Sequence, residues 1–314
     1  MPQPNKIHYD AASAMSLGRR DRQEDSVAVD FPVGAPHGFA VLADGMGGHA
    51  AGDVASQIVV TEMFSELKML ISDPKAMEEN IRDKLCAAIQ DTNMCIEHMA
   101  NASPDVSVMG ATALVPVIFG ERLYWVSVGD SPLFLYREGR LERLNEDHSM
   151  APQIDEMQTK GLINLDEARN HPDRSALTSV LAGNEIPKID CSGAPVSLQS
   201  GDIVIAASDG LEYLSPERIE DVLAAYQTRP STEISAALLR EIEALDDPDQ
   251  DNVSLCLIKV KGAEEDHAAV PDPIAAVTKI VQADQASRPS SVTVLSRKSG
   301  GASQVVCVSR KVKM

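Results

Sequence analysis

Short apolar runs rich in β-branched residues recur along the chain, at 38–43, 111–119, 123–128, 202–207 and 253–260. Glycine, aspartate, asparagine or serine flanks each run, the punctuation expected at strand ends. Between the runs, apolar positions step by three and four, predicting helices over about 53–71, 75–99, 216–226 and 232–245. In the second of these, Met77, Ile81, Leu85, Ala88, Ile89 and Ile96 share one face. Only Gly120, Glu121 and Arg122 separate the runs at 111–119 and 123–128, too short a link for a parallel crossover, so an antiparallel hairpin is expected. Paired strands with long helices to cover them predict a layered α+β architecture.

Composition narrows the class. The 314 residues carry 28 Lys and Arg against 47 Asp and Glu, a formal net charge of -19. Such a surface repels a phosphate backbone, so nucleic-acid binding is not expected. The longest apolar stretches fall far short of the ~20 residues of a membrane helix. The first ten residues have no apolar core of a secretory signal. Cys86, Cys95, Cys191, Cys256 and Cys307 are odd in number and form no CxxC pair, a pattern suited to reduced thiols. A cytoplasmic protein is expected.

The charge is not evenly spread. Residues 1–260 hold 20 basic and 42 acidic side chains, whereas 285–314 hold six basic and no acidic ones. A body over 1–260 and an extension over 261–314, basic from 285, are therefore expected. Within the extension, VTVLSRK at 292–298 is nearly repeated as VVCVSRK at 305–311. Either a β-hairpin or a disordered tail accounts for it.

The placement of aspartates carries the chemistry. Asp44, Asp130 and Asp209 each follow an apolar run, and Asp251 precedes the run at 253–260. A single Asp-Gly after a strand is an ordinary turn. Four carboxylates at the mouths of four strands converge at one sheet edge if those strands lie side by side. Gathered carboxylates repel unless a cation sits between them or some keep protons. Oxygen donors without His or Cys select Mg²⁺ or Mn²⁺. The separations of 86, 79 and 42 residues exclude a local calcium loop. A pair of such ions activates water for attack on phosphorus, which predicts a phosphoryl hydrolase. The sequence has no GxxxxGK[ST], GxSxG or HExxH, and no Cys followed six positions later by Arg.

Seven segments, in order, resemble the metal-dependent protein phosphatases, the type 2C Ser/Thr phosphatase family, in their bacterial form. They are RDRQEDS at 20–26, ADGMGGHAAG at 43–52, GATA at 110–113, VGDS at 128–131, NEDHS at 145–149, ASDG at 207–210 and DN at 251–252. The resemblance implies a four-layer α-β-β-α sandwich of two antiparallel sheets flanked by helices. It also implies hydrolysis of phosphoserine and phosphothreonine in proteins, using two Mn²⁺ or Mg²⁺ ions and a weaker third. Carried over by position, Asp44 would bridge both metals, the Gly45 carbonyl would bind one, and Asp209 and Asp251 would complete the other's shell. Asp130, with Asp209, matches the third-metal position. Glu24 and Asp25 would orient metal-bound water, and Arg20 would grip the substrate phosphate.

The segment at about 148–187 resembles the family's mobile flap, with a helix near 151–161 and a capping box of Asn164 and Glu167. Three departures stand out. Gln23 replaces the commoner Asn. Met46 stands where eukaryotic members have a His, leaving His49 as the nearest imidazole. Pro132 replaces the Arg that commonly follows Gly-Asp-Ser. The expected partners are phosphorylated proteins and a cognate Ser/Thr kinase, with the chain a monomer. Two rivals stay open: a non-catalytic phosphoprotein-binding member, and an enzyme for small phosphate esters or another class of phosphoprotein.

Overall fold

A strand that is apolar at every position has both faces covered, and the fold follows from that rule. The computed structural model describes residues 7–32, 35–47, 51–102 and 108–262, together with the backbone of 295–296. In chain order, β1 (His8–Ser16), β2 (Asp25–Asp30) and β3 (His37–Gly47) precede three helices, α1 (Ala51–Leu70), α2 (Pro74–Glu79) and α3 (Ile81–Ala102). Then come β4 (Met109–Ala111), β5 (Ala113–Phe119), β6 (Arg122–Val128), β7 (Leu133–Arg137) and β8 (Arg140–Arg143). Short helices α4 (Ala151–Thr159) and α5 (Leu165–Arg169) follow, then β9 (Asp190–Cys191), β10 (Val196–Ser197) and β11 (Ile203–Ala207). A 3₁₀ helix (Asp209–Tyr213), α6 (Pro216–Tyr226), α7 (Ser231–Ala244) and β12 (Val253–Lys261) close the body; β13 (Leu295–Ser296) is a two-residue strand.

All pairings are antiparallel. One sheet has the order β13-β1-β12-β11-β7-β8; the other runs β10-β6-β5-β3-β2, with β4 on β3 and β9 on β6. Alternation along each strand then builds three cores. Leu114 and Ile118 of β5 meet Cys256, Ile258 and Val260 of β12 between the sheets. Ala113, Val115, Val117 and Phe119 face α1 and α3. Val253, Leu255 and Leu257 face α6 and α7. Helix α1 buries Ala51, Ala55, Val59, Met63 and Leu67, a strict step of four that keeps one stripe on the sheet. Each large apolar side chain so buried contributes roughly 1.5–3 kcal/mol. This is the four-layer α-β-β-α sandwich expected.

Two predicted elements are divided. The helix expected over 75–99 breaks at Asn80, whose amide turns back to the carbonyls of Met77 and Glu78 and ends α2 before α3 begins. The strand expected over 111–119 is interrupted at Thr112, for a reason that belongs to the site. The hairpin holds: Phe119 pairs with Arg122 across Gly120, whose φ is +57°. The capping box of Asn164 and Glu167 is formed, with both hydrogen bonds 2.9 Å long. The tail repeat lies outside the described residues, apart from Leu295 and Ser296, which pair with Ser13 and Ala12. Among the described residues no helix is long and apolar enough to cross a membrane.

Candidate metal centre

The carboxylates gather at one end of the two sheets because strand register puts them there. Asp25 of β2 stands directly opposite Asp44 of β3, and opposed residues of an antiparallel pair share a face. On the other side of Asp44 the same register reaches Thr112. The Thr112 amide donates to the Asp44 carbonyl (2.8 Å), but the Asp44 amide donates to the Thr112 hydroxyl (2.9 Å) rather than to a backbone carbonyl. That substitution interrupts the strand and pins the Asp44 backbone from both sides. The Thr112 hydroxyl also bonds the Ser131 hydroxyl at 2.8 Å. Gly129 has φ +107°, and a Cβ there would lie 2.6 Å from the Thr112 methyl. The GATA and GDS segments thus lock together and set Asp130 beside Asp44.

Asp209 opens the 3₁₀ helix at the end of β11, next to Ser208, whose hydroxyl donates to Asp25 (2.8 Å). Asp251 enters β12; its Oδ1 accepts from the Asn252 amide (2.7 Å) and its Oδ2 pairs with Arg20 (2.6 Å). The loop carrying Arg20, Glu24 and Asp25 is stapled by Asn252. Its Oδ1 accepts from the Glu24 amide (2.7 Å), and its Nδ2 donates to the carbonyls of Leu17 (2.9 Å) and Arg22 (3.0 Å). Gln23 serves the same loop, bonding the Ser16 carbonyl and the Asp25 amide, so an amide one methylene longer than Asn fits there. The Gly45 amide donates to the Glu24 carbonyl (3.1 Å), and a Cβ on Gly45 would fall 2.0 Å from the Gly52 carbonyl oxygen.

The electrostatics are those of crowded, buried acids. Burial first, then the charges of Asp209 and Asp251, push Asp25 up to about 7 against the pull of the Ser208 hydrogen bond. Asp130 is pushed up to about 7 by burial and by Asp209 and Asp147. Asp44 lies well above the usual carboxylate range through burial and through Asp25, Asp209, Asp130 and Asp251. Asp209 is raised by burial and Asp251. Among the described residues, no three His, Cys, Asp or Glu side chains stand close enough as placed to hold one ion. The donor set nevertheless fits hard divalent cations: it is all oxygen and mutually repelling, with Asp25 buried and Asp44, Asp130, Asp209 and Asp251 half-buried, and with Arg20 on Asp251 as its direct ion pair.

Arg143, absent from the sequence expectations, donates Nη2 to the Asp130 carbonyl (2.5 Å) and lies 3.3 Å from Asp147 and 3.4 Å from Glu212. It brings a guanidinium to the loop where Pro132 displaces one. The segment expected as a flap starts at buried His148, whose Nδ1 accepts from the Gly129 amide (3.2 Å), and it closes on itself where Thr178 bonds the His148 carbonyl. Asp155 and Arg174 form a two-point ion pair across it. Met46 is 37% exposed; His49 lies outside the described residues. The roles of Thr112 and Asn252 show only through partners remote in sequence.

Comparison with known proteins agrees with this architecture. Residues 17–243 match the family model described as Protein phosphatase 2C. The chain is 33% identical over 255 residues to the serine/threonine protein phosphatase PstP of Mycobacterium tuberculosis, a match covering 81% of this chain and 45% of PstP. It therefore spans about half the length of that relative. It is 32% identical over 194 residues to the serine/threonine phosphatase stp of Listeria monocytogenes, covering 60% of this chain and 73% of stp. The crystal structure of the PstP catalytic domain in complex with two manganese ions superposes with a TM-score of 0.61 at 31% identity, over 81% of this chain and 98% of that one.

Proposed function

The chain belongs to the protein phosphatase 2C family, and on that premise we propose that it hydrolyses phosphoserine and phosphothreonine in proteins, opposing a Ser/Thr kinase in a cytoplasmic signalling circuit. One observation carries the reading: Asp25, Asp44, Asp130, Asp209 and Asp251, drawn from all along the body, gather at one edge of the sandwich, where Asp25 stands opposite Asp44 and the charges of all four others act on Asp44. Such a set is costly to a fold that merely binds a partner.

In this reading Asp44, the Gly45 carbonyl, Asp209 and Asp251 would hold two Mn²⁺ or Mg²⁺ ions, and Asp130, beside Asp209, would help to hold a weaker third. When bound, the ions supply Lewis acidity and a water nucleophile at neutral pH. The protein's own groups do the rest. Arg20 leaves Asp251 and takes two phosphate oxygens with its planar fork. Glu24 and Asp25 accept hydrogen bonds from water and hold its orientation, Asp25 being itself held by Ser208. Residues 1–260 carry this machinery, and the basic extension over 261–314 is dispensable for it.

The test is phosphate release from a phosphothreonine peptide by chelator-stripped protein, before and after adding Mn²⁺ or Mg²⁺. Metal-restored release is expected. Silence from a folded sample with several peptides and both metals would favour a phosphoprotein-binding module. Release confined to p-nitrophenyl phosphate would favour a small-ester enzyme.

A further inference from the structure

Two thiols meet where the flap returns to the body. Cys86 in α3 and Cys191 in β9 lie 105 positions apart in sequence, yet the Cys86 side chain is near enough to act on the Cys191 thiol. The Cys191 sulfur also lies 3.7 Å from the carbonyl oxygen of Arg82. In a helix that carbonyl is the acceptor for the amide four residues on, here Cys86. Helical side chains lean back over the preceding turn, so Cys86 covers the same turn. Both observations place the two side chains on the same turn of α3. Cys191 is 8% exposed in the core beneath α3, and Cys86 is half-buried at that core's edge.

The junction has structural weight. Farther along α3, Asn93 donates to the Asn184 carbonyl (2.7 Å) and accepts from the Gly183 amide (2.9 Å), clamping the segment that leaves the flap. Asp190, beside Cys191, accepts from the Trp125 indole and the Glu146 amide, each at 2.9 Å. Strand β6, paired with β9, runs directly into Asp130. Helix α3, the flap's return and the approach to the carboxylates therefore share one joint.

We infer that Cys86 and Cys191 are a redox-responsive thiol pair, which a peroxide converts into an intramolecular disulfide tying α3 to the segment that leaves the flap. Cys86, the more exposed, reacts first. Its thiolate attacks one peroxide oxygen, the O–O bond breaks, and the departing hydroxide becomes water with the proton that the thiol gave up, leaving a sulfenic acid. The Cys191 sulfur then attacks the Cys86 sulfur. The S–S bond forms, the S–O bond breaks, and the second hydroxide leaves as water with the Cys191 proton. Each sulfur gives one electron and the peroxide takes two. Burial, reinforced by the Cys86 side chain, holds the Cys191 thiol well above its ordinary range, which leaves the first attack on peroxide to Cys86 and the resolving step to Cys191.

The experiment treats the reduced, full-length chain with hydrogen peroxide and reads intact mass and unreduced peptide maps. The expected result is loss of two hydrogen atoms per chain, a linked peptide joining 86 to 191, and reversal by dithiothreitol. Both Cys86→Ser and Cys191→Ser should abolish the link, whereas Cys95→Ser and Cys307→Ser should keep it. Cys86 is only half-buried, so its variant should melt normally and decides the question even if Cys191→Ser fails to fold. Oxygen adducts on Cys86 without a link would overturn the inference. So would a link through Cys95, Cys307 or a second chain. The readout is sulfur chemistry and does not depend on the proposed activity.

Discussion

Replacing Asn252 by alanine should loosen the loop over 17–24 and lower both stability and turnover. The side chain is 5% exposed and satisfies three backbone groups, the Glu24 amide and the Leu17 and Arg22 carbonyls. At about 1 kcal/mol each, these bonds contribute about 3 kcal/mol. Leu17 and Arg22 are exposed, so their carbonyls regain partners from water, while the Glu24 amide faces the packed strand end. The expected net loss is about 2 kcal/mol, or roughly 4–8 °C in melting temperature for a domain of this size. The same loop carries Arg20, Glu24 and Asp25, so turnover on a phosphothreonine peptide should fall by roughly 10–100-fold, the range typical of groups that orient a metal site. Thermal melts of metal-free protein and initial rates at saturating Mn²⁺ measure the two effects. A melting temperature within about 1 °C of the parent, with unchanged turnover, would refute the idea that Asn252 holds this loop.

Three further outcomes follow from the same geometry. Asp209→Asn should cut turnover by more than about 100-fold while leaving the metal-free melting temperature unchanged or higher, because it removes one charge from a crowded set; near-normal turnover would contradict the metal assignment. Gly45→Ala should cost about 1–3 kcal/mol and weaken Mn²⁺ binding by calorimetry, since its Cβ would meet the Gly52 carbonyl oxygen at 2.0 Å; unchanged melting and affinity would count against that contact. Metal-free stability should decline as pH rises toward 7. Asp25 titrates near 7 when folded against 3.8 for the ordinary side chain, so the folded state binds the extra proton in that window and loses this advantage as pH rises through it. The shift sets a ceiling of ~4 kcal/mol. Burial holds His37 and His148 low, an effect that pushes the other way. The decisive comparison is therefore with Asp25→Asn, whose decline should be smaller; an identical pH profile would exclude the Asp25 contribution.

The legible parts of the fold were those where one side chain pattern had one explanation. Runs such as 253–260 are apolar on both faces because they lie between two layers, and that pattern admits little but a central strand. Helix α1 was legible through its stripe at steps of four. Strand β1 was not, because its middle is Ala11, Ala12, Ser13 and Ala14, small residues chosen by close packing under α7 and carrying no periodic signal. Strand β2 was missed similarly: its ends are aspartates, one of them committed to the carboxylate cluster.

The candidate site divides along the same line. Residue type and position within a segment are local properties, so the sequence alone determined that Asp44, Asp130, Asp209 and Asp251 stand at strand ends and that their chemistry suits hard cations. Whether those ends meet depends on strand order, which is a property of the folded sheets. Tertiary structure alone put Asp25 opposite Asp44, turned the Thr112 hydroxyl onto the Asp44 amide, closed Asn252 over a loop 228 positions away, and brought Cys191 against the turn of α3 that bears Cys86. Hydrogen bonds act over about 3 Å whatever the sequence separation, so such partners leave no mark on either residue's local pattern.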